Sequence, residues 1–268
     1  MPGLVVFGIT GRMGQSLVRA LREAQGSPLP LTLCGAVASS DSSRLGQDAA
    51  LEGDPTGVTI TADSWVSLKS AAVAVDFSMP QCVAANARAC ALAGVPILVG
   101  TTGFDAATRG VLERTANDIP VLIAPNTSVG VSVMAQLVSM ATLGLGPSYD
   151  VEIFEAHHRM KRDAPSGTAL ALGEAVAQAR AVALNEVATC DRAGQSAPRT
   201  PGSIGFSSMR AGDIVGEHTV IFAAAGERVE ITHRATDRQT FARGALRAAE
   251  WLAGQPAGLY GMKNVLGL

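Results

Sequence analysis

The first half of the chain alternates short apolar runs with segments of helical character. Residues 15–25 carry apolar side chains at helical spacing. Residues 81–93 form an Ala-rich helical segment that ends at Gly94, with Pro96 two residues further on. The apolar runs predict strands at residues 4–7, 29–38, 73–77, 96–99 and 121–124. Strands separated by helices predict an α/β fold with a parallel, doubly wound sheet.

The pattern changes near residue 126. A long apolar helix is expected at residues 129–145 and an amphipathic helix at 240–252. Ser166 is expected to cap a further helix at residues 166–180. Strand-like runs occupy residues 150–156, 204–209, 218–223 and 229–233. These elements predict a second α/β domain with a mixed, largely antiparallel sheet.

Composition and charge exclude several classes of protein. With 268 residues, 47% hydrophobic and 16% charged, the chain is globular and long enough for one large or two modest domains. A net charge of −2 gives no reason to expect nucleic acid or an anionic membrane as partner. No apolar run approaches the roughly 18 residues of a membrane span, and no basic segment at the start indicates a signal peptide.

The cysteines indicate a compartment. The chain has 4 of them, without a CxxC pair, at positions Cys34, Cys82, Cys90 and Cys190. In a chain of this size we expect free thiols in a reducing environment, and hence a cytoplasmic protein.

A glycine-rich turn follows the first strand and precedes the first helix. Glycines let the backbone approach a pyrophosphate, and the helix that follows offers free N–H groups to the anion. This context favours a Rossmann-type dinucleotide site, although a plain tight turn remains the alternative. The residues concerned are Gly8, Ile9, Thr10, Gly11, Arg12, Met13 and Gly14.

The end of the second strand bears on the choice of coenzyme. An acidic residue that binds the ribose is expected there, but the chain has Ser39 and Ser40, with Arg44 slightly further on. Serines and an arginine suit a 2′-phosphate better than a carboxylate would, so we expect NADPH and/or NADH. Alternatively the segment is only a solvated loop, with Asp41 or Arg44 directed into water.

Two later loops also follow predicted strands. In an open α/β sheet the ligand lies beyond the carboxyl ends of the strands, so these loops are placed to line a nicotinamide site. Each of them, taken alone, could be only a turn. They comprise Gly100, Thr101 and Thr102 in the first loop, and Ala124, Pro125, Asn126 and Thr127 in the second.

A cationic cluster occupies residues 155–168, at the end of a predicted strand. His157, His158 and Lys161 lie there with two arginines, which suits a substrate with several negative charges. A histidine can donate or accept a proton near neutral pH. The next helix would begin with Ser166, Gly167 and Thr168, whose N–H groups could hold a carboxylate. A solvated loop is the alternative; a metal site is not expected, because no Cys or close acidic partner completes a ligand set.

This cluster resembles the signature of the dihydrodipicolinate reductase family. The resemblance is carried by residues 155–158, Lys161 and residues 163–168. Further blocks agree in order along nearly the whole chain, at residues 11–14, 100–104, 126, 128–131 and 210–219. The chain departs from the family at Ser39 and Ser40, where an acid is common, and at Thr127, where an aromatic residue is often found.

The resemblance implies an architecture and an activity. Residues 1–126 would bind the dinucleotide, with residues 237–268 returning to that domain, and residues 127–236 would bind substrate and form a homotetramer. The implied reaction is hydride transfer from NADPH or NADH to a cyclic, unsaturated dicarboxylate in lysine and diaminopimelate biosynthesis. His157 is implied as the acid/base residue and Lys161 as a second proton donor. Substrate contacts are implied for His158, Lys161, Gly167 and Thr168.

Two other functions compete with this interpretation. One is a nicotinamide-dependent dehydrogenase of another amino acid, such as aspartate or homoserine. The other is a non-catalytic dinucleotide sensor, which accounts for the glycine turn but leaves the cationic cluster unexplained.

Overall fold

The structure is a computed structural model, and it describes residues 1–23, 31–190, 192, 194 and 196–268. The predicted end of the first helix at residue 25 and the predicted start of the second strand at residue 29 lie outside these residues. The chain divides into two compact units. The first comprises Met1–Val129 and Gln239–Leu268, and the second comprises Gly130–Arg238.

The first unit begins with alternating strands and helices. A single 3₁₀ turn, Pro80–Cys82, precedes the third helix. The elements are β1 (Gly3–Phe7), α1 (Arg12–Glu23), β2 (Thr32–Val37), β3 (Ile60–Thr61), α2 (Ser64–Leu68), β4 (Ala71–Asp76), α3 (Val83–Ala93), β5 (Ile97–Val99), α4 (Ala106–Thr115) and β6 (Pro120–Ile123).

The second unit starts within a long helix, and the chain then returns to the first unit. The elements up to the return are α5 (Val129–Leu145), β7 (Asp150–His157), α6 (Gly167–Ala179), α7 (Leu184–Val187), β8 (Ala188–Thr189), β9 (Ile204–Arg210), β10 (Gly216–Ala224) and β11 (Glu227–Ala235). The returning elements are α8 (Gln239–Leu252), β12 (Gly258–Tyr260) and α9 (Met262–Leu266).

The sheet of the first unit is parallel and doubly wound, as predicted. Its strand order is β12-β6-β5-β4-β1-β2-β3, and every neighbouring pair is parallel. Leu4 and Val6 face a core with α1 and α8, while Val5 and Phe7 face a core with α3 and α4. Because both faces of β1 are covered, its side chains are apolar without alternation.

Polar side chains and a glycine set the ends of the helices. The Asp63 carboxylate accepts from two backbone N–H groups at the start of α2, and Asp105 accepts from the Thr108 N–H at the start of α4. Gly94 ends α3 with a φ of 67°, a left-handed conformation that favours glycine. Among the described residues, no helix combines the length and apolar character needed to cross a bilayer.

The second unit has a five-stranded mixed sheet of order β11-β10-β7-β9-β8. The pairs β11–β10 and β10–β7 are antiparallel, whereas β7–β9 and β9–β8 are parallel. The sheet is therefore mixed, as predicted, and most of its residue pairs are antiparallel. The chain returns through α6 and α7 before β9, and such a crossover makes β9 parallel to β7.

We expect Gly244→Ala to destabilise the first unit. A Cβ at Gly244, within α8, would lie 1.9 Å from the Thr127 carbonyl oxygen, and overpacking typically costs about 1–3 kcal/mol. Gly144→Ala, within α5, is the matched control, because its Cβ would meet nothing within 4 Å. The control gains roughly 0.5–1 kcal/mol of helix preference. Thermal unfolding measures both, and an unchanged or raised Tm for Gly244→Ala would contradict this account of the packing.

Candidate active site

Two glycines of the turn after β1 are required by close packing. Gly8 has a φ of 76°, and a Cβ there would lie 2.5 Å from the Phe77 carbonyl oxygen. At Gly14 a Cβ would lie 2.4 Å from the Ile9 carbonyl oxygen. The turn is therefore held tightly between the end of β4 and the first turn of α1.

The third glycine leaves room for a ligand. The Gly11 N–H donates to the Gly8 carbonyl over 3.0 Å, and a Cβ at Gly11 would meet only that oxygen, at 3.2 Å. Helix α1 begins at Arg12, so the first N–H groups of the helix have no preceding turn to which they could donate. With the exposed Arg12 side chain they form a positive site suited to a phosphate.

Two cavities in the first unit open onto this turn. Their volumes are ≈ 500 Å³ and ≈ 240 Å³, and they share Gly11, Phe77 and Ser78 in their linings. Most of the cofactor residues expected from the sequence line one or both: Gly8, Thr10, Gly11, Arg12, Met13, Ser39, Gly100, Thr101, Thr102, Pro125, Asn126 and Thr127.

Four of the expected cofactor residues lie elsewhere. Ile9 and Ala124 belong to the hydrophobic core. Gly14 is buried against the turn, and Ser40 is exposed outside both linings. Ile9, Gly14 and Ala124 therefore do not line the cavities themselves. Residues next to them in the sequence do.

Sequence reasoning missed several lining residues. Phe77, Ser78 and Pro80 follow β4, and Phe241 lies on α8. The signal for the first three was available, because they follow the carboxyl end of a buried parallel strand. Phe241 is brought to the cavity by tertiary packing, and no local motif indicates it.

Asp76 holds the loops after β4 and β5. Its carboxylate is fully buried and accepts from the Ser78 N–H over 2.7 Å, from Thr101 Oγ1 over 3.1 Å and from Asn86 Nδ2 over 2.9 Å. Hydrogen bonds of this kind are required when a carboxylate is removed from water. The sequence carried a signal for this structural role of Asp76, because an aspartate ends an otherwise apolar strand.

The loop after β2 brings one serine to the smaller cavity. Ser39 lines that cavity together with Val37 and Ala38. Arg44 is exposed and donates from Nη1 to Gln47 Oε1 over 3.1 Å. Two features of the sequence favoured NADPH. The first, a serine instead of an acid at Ser39, is found at the cavity, whereas the second, Arg44, lies outside both linings.

Thr127 and Asn126 are fixed by hydrogen bonds within the first unit. Thr127 is buried and its Oγ1 donates to the Phe241 carbonyl over 2.7 Å. Asn126 Oδ1 accepts from the Ser128 N–H over 2.9 Å. The small Thr127 side chain thus connects the loop after β6 to α8.

A buried pair of a histidine and a carboxylate lies at the end of β7 in the second unit. Glu155 and His157 are two residues apart, so their side chains lie on the same face of the strand. His157 Nδ1 is 2.5 Å from Glu155 Oε2, and both side chains are buried. Desolvation by burial lowers the pKa of His157, although Glu155 opposes this effect.

Arg210 binds the same carboxylate from the neighbouring strand β9. Its Nη1 and Nη2 atoms donate to the two oxygens of Glu155 over 2.8 and 2.7 Å. Burial opposes ionisation, but the hydrogen bonds from Arg210 and His157 lower the pKa of Glu155 to about 2. Glu155 is therefore a carboxylate at neutral pH and can only accept hydrogen bonds.

Lys161 lies in the loop that follows β7. Its Nζ is 2.9 Å from Asp163 Oδ2, and its positive charge also lowers the pKa of His157. His158 is half-buried in the same loop, and its carbonyl accepts from the Lys161 N–H over 3.1 Å. The structure thus brings the two expected proton donors, His157 and Lys161, into one cluster.

Ser166 caps α6, as predicted, and its polar groups are all engaged within the protein. Its Oγ accepts from the Ala169 N–H over 3.2 Å and lies 3.1 Å from His218 Nε2, while its N–H donates to Glu155 over 3.2 Å. Gly167 opens the helix toward free space, since a Cβ there would meet nothing within 4 Å. Gly167 and Thr168 follow the Ser166 cap and form the first turn of α6.

His218 on β10 completes the buried network. Its ring lies edge-on to His157, with centroids 5.2 Å apart. Desolvation, followed by the His157 charge, lowers the pKa of His218 to about 4, so the ring is neutral at physiological pH. Sequence reasoning missed Glu155, Arg210 and His218 as one network, because strand pairing over more than 50 residues brings them together. Within the described residues no group of three or more His, Cys, Asp or Glu could hold a metal.

Comparison with known proteins gives consistent matches over the whole chain. The family model "Dihydrodipicolinate reductase, N-terminus" matches residues 3–127, and "Dihydrodipicolinate reductase, C-terminus" matches residues 130–266. A 4-hydroxy-tetrahydrodipicolinate reductase from Thiobacillus denitrificans is 48% identical, over 99% of this chain and 98% of that protein. One from Bordetella parapertussis is 49% identical, over 99% and 97%.

A solved structure is similar in fold. It is a dihydrodipicolinate reductase from Paenisporosarcina sp. with dipicolinate bound. The TM-score is 0.76 at 23% sequence identity, and the match covers 98% of this chain and 99% of that one.

Proposed function

The chain belongs to the dihydrodipicolinate reductase family and is an NAD(P)H-dependent oxidoreductase, and from this premise we propose how its residues reduce 4-hydroxy-tetrahydrodipicolinate. The product is tetrahydrodipicolinate, in lysine and diaminopimelate biosynthesis. The unit that contains β1 binds the coenzyme, and the unit that contains β7 binds the dicarboxylate. These roles correspond to the domains predicted from the sequence, residues 1–126 with 237–268 for the coenzyme and residues 127–236 for the dicarboxylate.

The coenzyme pyrophosphate binds at the turn after β1. Gly11 and the first N–H groups of α1 contact the phosphates, and Arg12 adds a positive charge. The support is the close packing at Gly8 and Gly14 together with the open space at Gly11. The loops with Thr101, Thr102 and Asn126 line the larger cavity, where the nicotinamide ring fits. NAD(P)H, when bound, supplies the hydride.

His157 and Lys161 supply the proton that the reduction consumes. Negative charge develops on the ring as the hydride arrives, and a positioned acid and nearby cations stabilise it. His158, Gly167 and Thr168 hold the carboxylates, with Ser166 fixing the start of α6. The observation that carries this assignment is the cluster itself: an imidazole held by a buried carboxylate at 2.5 Å, with Lys161 and a helix N-terminus beside it.

A steady-state assay with the cyclic dicarboxylate tests the function and the coenzyme preference together. We expect kcat/KM with NADPH to be at least comparable to that with NADH, since no carboxylate stands at Ser39 to repel a 2′-phosphate. Ser39→Asp should shift the ratio toward NADH. Ser40→Asp is the matched control, because Ser40 lies outside both linings. Rejection of NADPH by more than about a hundredfold in the wild type would refute this interpretation of the loop.

The chain forms a homotetramer in the cytoplasm. The support for assembly is a row of exposed apolar side chains on α5, where Leu137, Met140 and Leu143 are 47%, 67% and 69% exposed, since such rows commonly mark protein interfaces. The support for the compartment is that all four cysteines are free thiols. Light scattering should give four times the chain mass, and a monomer at micromolar concentration would contradict the assembly.

A further inference from the structure

We propose that Glu155 and Arg210 are positioning residues for the reduction: together they hold the His157 ring with its proton on Nδ1, so that Nε2 is the atom that gives the proton to the substrate. The inference rests on the proposed role of His157. It assigns functions to two side chains that need not touch the substrate.

The tautomer follows from the hydrogen-bond partners. Glu155 accepts both Arg210 nitrogens, at 2.8 and 2.7 Å, and so remains ionised and without a proton to donate. Its contact with His157 Nδ1, at 2.5 Å, therefore requires the hydrogen on Nδ1. In the neutral ring Nε2 then carries the lone pair, and in the protonated ring Nε2–H is the acidic group.

A glycine lies beside Nε2. A Cβ at Gly216, at the start of β10, would lie 3.1 Å from His157 Nε2 and 3.5 Å from Cδ2. Glycine at this position therefore places no side chain against Nε2.

Glu155 also connects the proton donor to the substrate-binding helix. The same carboxylate accepts from the Ser166 N–H over 3.2 Å, and Ser166 caps α6. One buried anion thus fixes the ring of His157 and the position of the helix N-terminus proposed to hold a carboxylate. The Arg210 Nη2 atom extends this link, because it also donates to the Asp163 carbonyl over 2.6 Å.

The charges around His157 determine the direction of the pH effect. Glu155 on β7 raises the pKa of His157, whereas Arg210 on β9 and Lys161 in the following loop lower it. His218 on β10 also faces the ring and is neutral near pH 7. An acid loses activity as pH rises through its pKa. Removing the Glu155 charge should therefore move the falling limb of the kcat profile to lower pH.

The test compares Glu155→Gln with Glu155→Asp. Glu155→Gln should lower kcat at least about tenfold, with a smaller change in KM, and should move the pH limb downward. Glu155→Asp keeps the charge and should recover part of kcat and the position of the limb. Glu152→Gln is the matched control: it lies on the same strand and also pairs with an arginine, Arg199, over 2.9 Å, but at the opposite end of β7. It should leave kcat and the profile unchanged.

His157→Gln separates failure of this inference from failure of the proposed function. If His157→Gln keeps full kcat, the proposed function itself fails. If His157→Gln loses kcat but Glu155→Gln keeps the wild-type kcat and pH profile, only the positioning role is overturned. The double variant, which combines His157→Gln with Glu155→Gln, should have a kcat no lower than that of His157→Gln, because Glu155 acts through that ring.

A measurement on the unaltered protein covers the case in which Glu155→Gln fails to fold. Nitrogen-15 NMR of the imidazole rings, with His157 assigned by its loss in His157→Gln, reports which nitrogen carries the proton. A protonated Nδ1 and unprotonated Nε2 above the pKa support the inference. The opposite tautomer would overturn it.

Discussion

His157→Gln is expected to lower kcat by roughly 10²-fold or more, with a smaller effect on KM. General acid catalysis contributes about 10²–10⁴-fold, and a proton donor acts chiefly as charge develops in the transition state. Loss of such a group therefore appears in kcat. Glutamine retains a polar amide near the Glu155 carboxylate but cannot transfer a proton from the position of Nε2. Steady-state kinetics at saturating coenzyme measure the effect.

Lys161→Ala is expected to lower kcat by a similar factor and also to raise KM. Lys161 contributes a charge beside His157, and a cation this close to a dianionic substrate serves both binding and catalysis. His158→Gln and Thr168→Ala provide the contrast. Their groups hold carboxylates in the ground state and the transition state alike, so their loss should mainly raise KM.

Coenzyme affinity decides whether these variants report on the substrate site. All four residues belong to the second unit, so the Kd for NADH and NADPH should stay near the wild-type value in each variant. Loss of coenzyme binding in all four would remove the substrate-site assignment. Full kcat in His157→Gln would require another acid.

The sequence predicted the long elements well because their patterns are strong. The apolar helix at residues 129–145 has the bounds expected for it, and Ser166 caps α6 through its Oγ. The buried runs of β1 and β4 predicted the parallel sheet, which is confirmed. The strands β3, β8 and β12 were missed, because two or three residues carry no periodicity.

Long-range pairing limited the prediction of the site. His157 and Lys161 lie in one motif, so the sequence identified them directly. Arg210 reaches Glu155 because β9 pairs with β7 in parallel register, with His157 opposite Arg210. The order and direction of strands in that sheet depend on tertiary packing, so a local motif alone does not place Arg210 beside Glu155.

The pyrophosphate assignment predicts a large loss of coenzyme affinity in Gly11→Val. Gly11 lines both cavities and lies just before the first turn of α1. A branched side chain there would occupy the space that the phosphates need and would separate them from the N–H groups of the helix. We expect Kd to rise at least about tenfold, a cost of ~1.4 kcal/mol or more, as measured by quenching or enhancement of coenzyme fluorescence.

Graded and distant variants make this prediction specific. Gly11→Ala adds only a Cβ, which would lie 3.2 Å from the Gly8 carbonyl oxygen, so its effect on Kd should fall between those of the wild type and Gly11→Val. Gly110→Val, within α4 and outside both linings, introduces the same side chain into a helix of the same unit. It should not weaken the helix, because valine has a higher helix preference than glycine, and it should leave Kd unchanged. An unchanged Kd in Gly11→Val, with the fold intact by circular dichroism, would place the pyrophosphate elsewhere. A Kd that rises equally in Gly110→Val would show that the loss does not arise at the turn, because the two valine variants differ only in where the side chain is added.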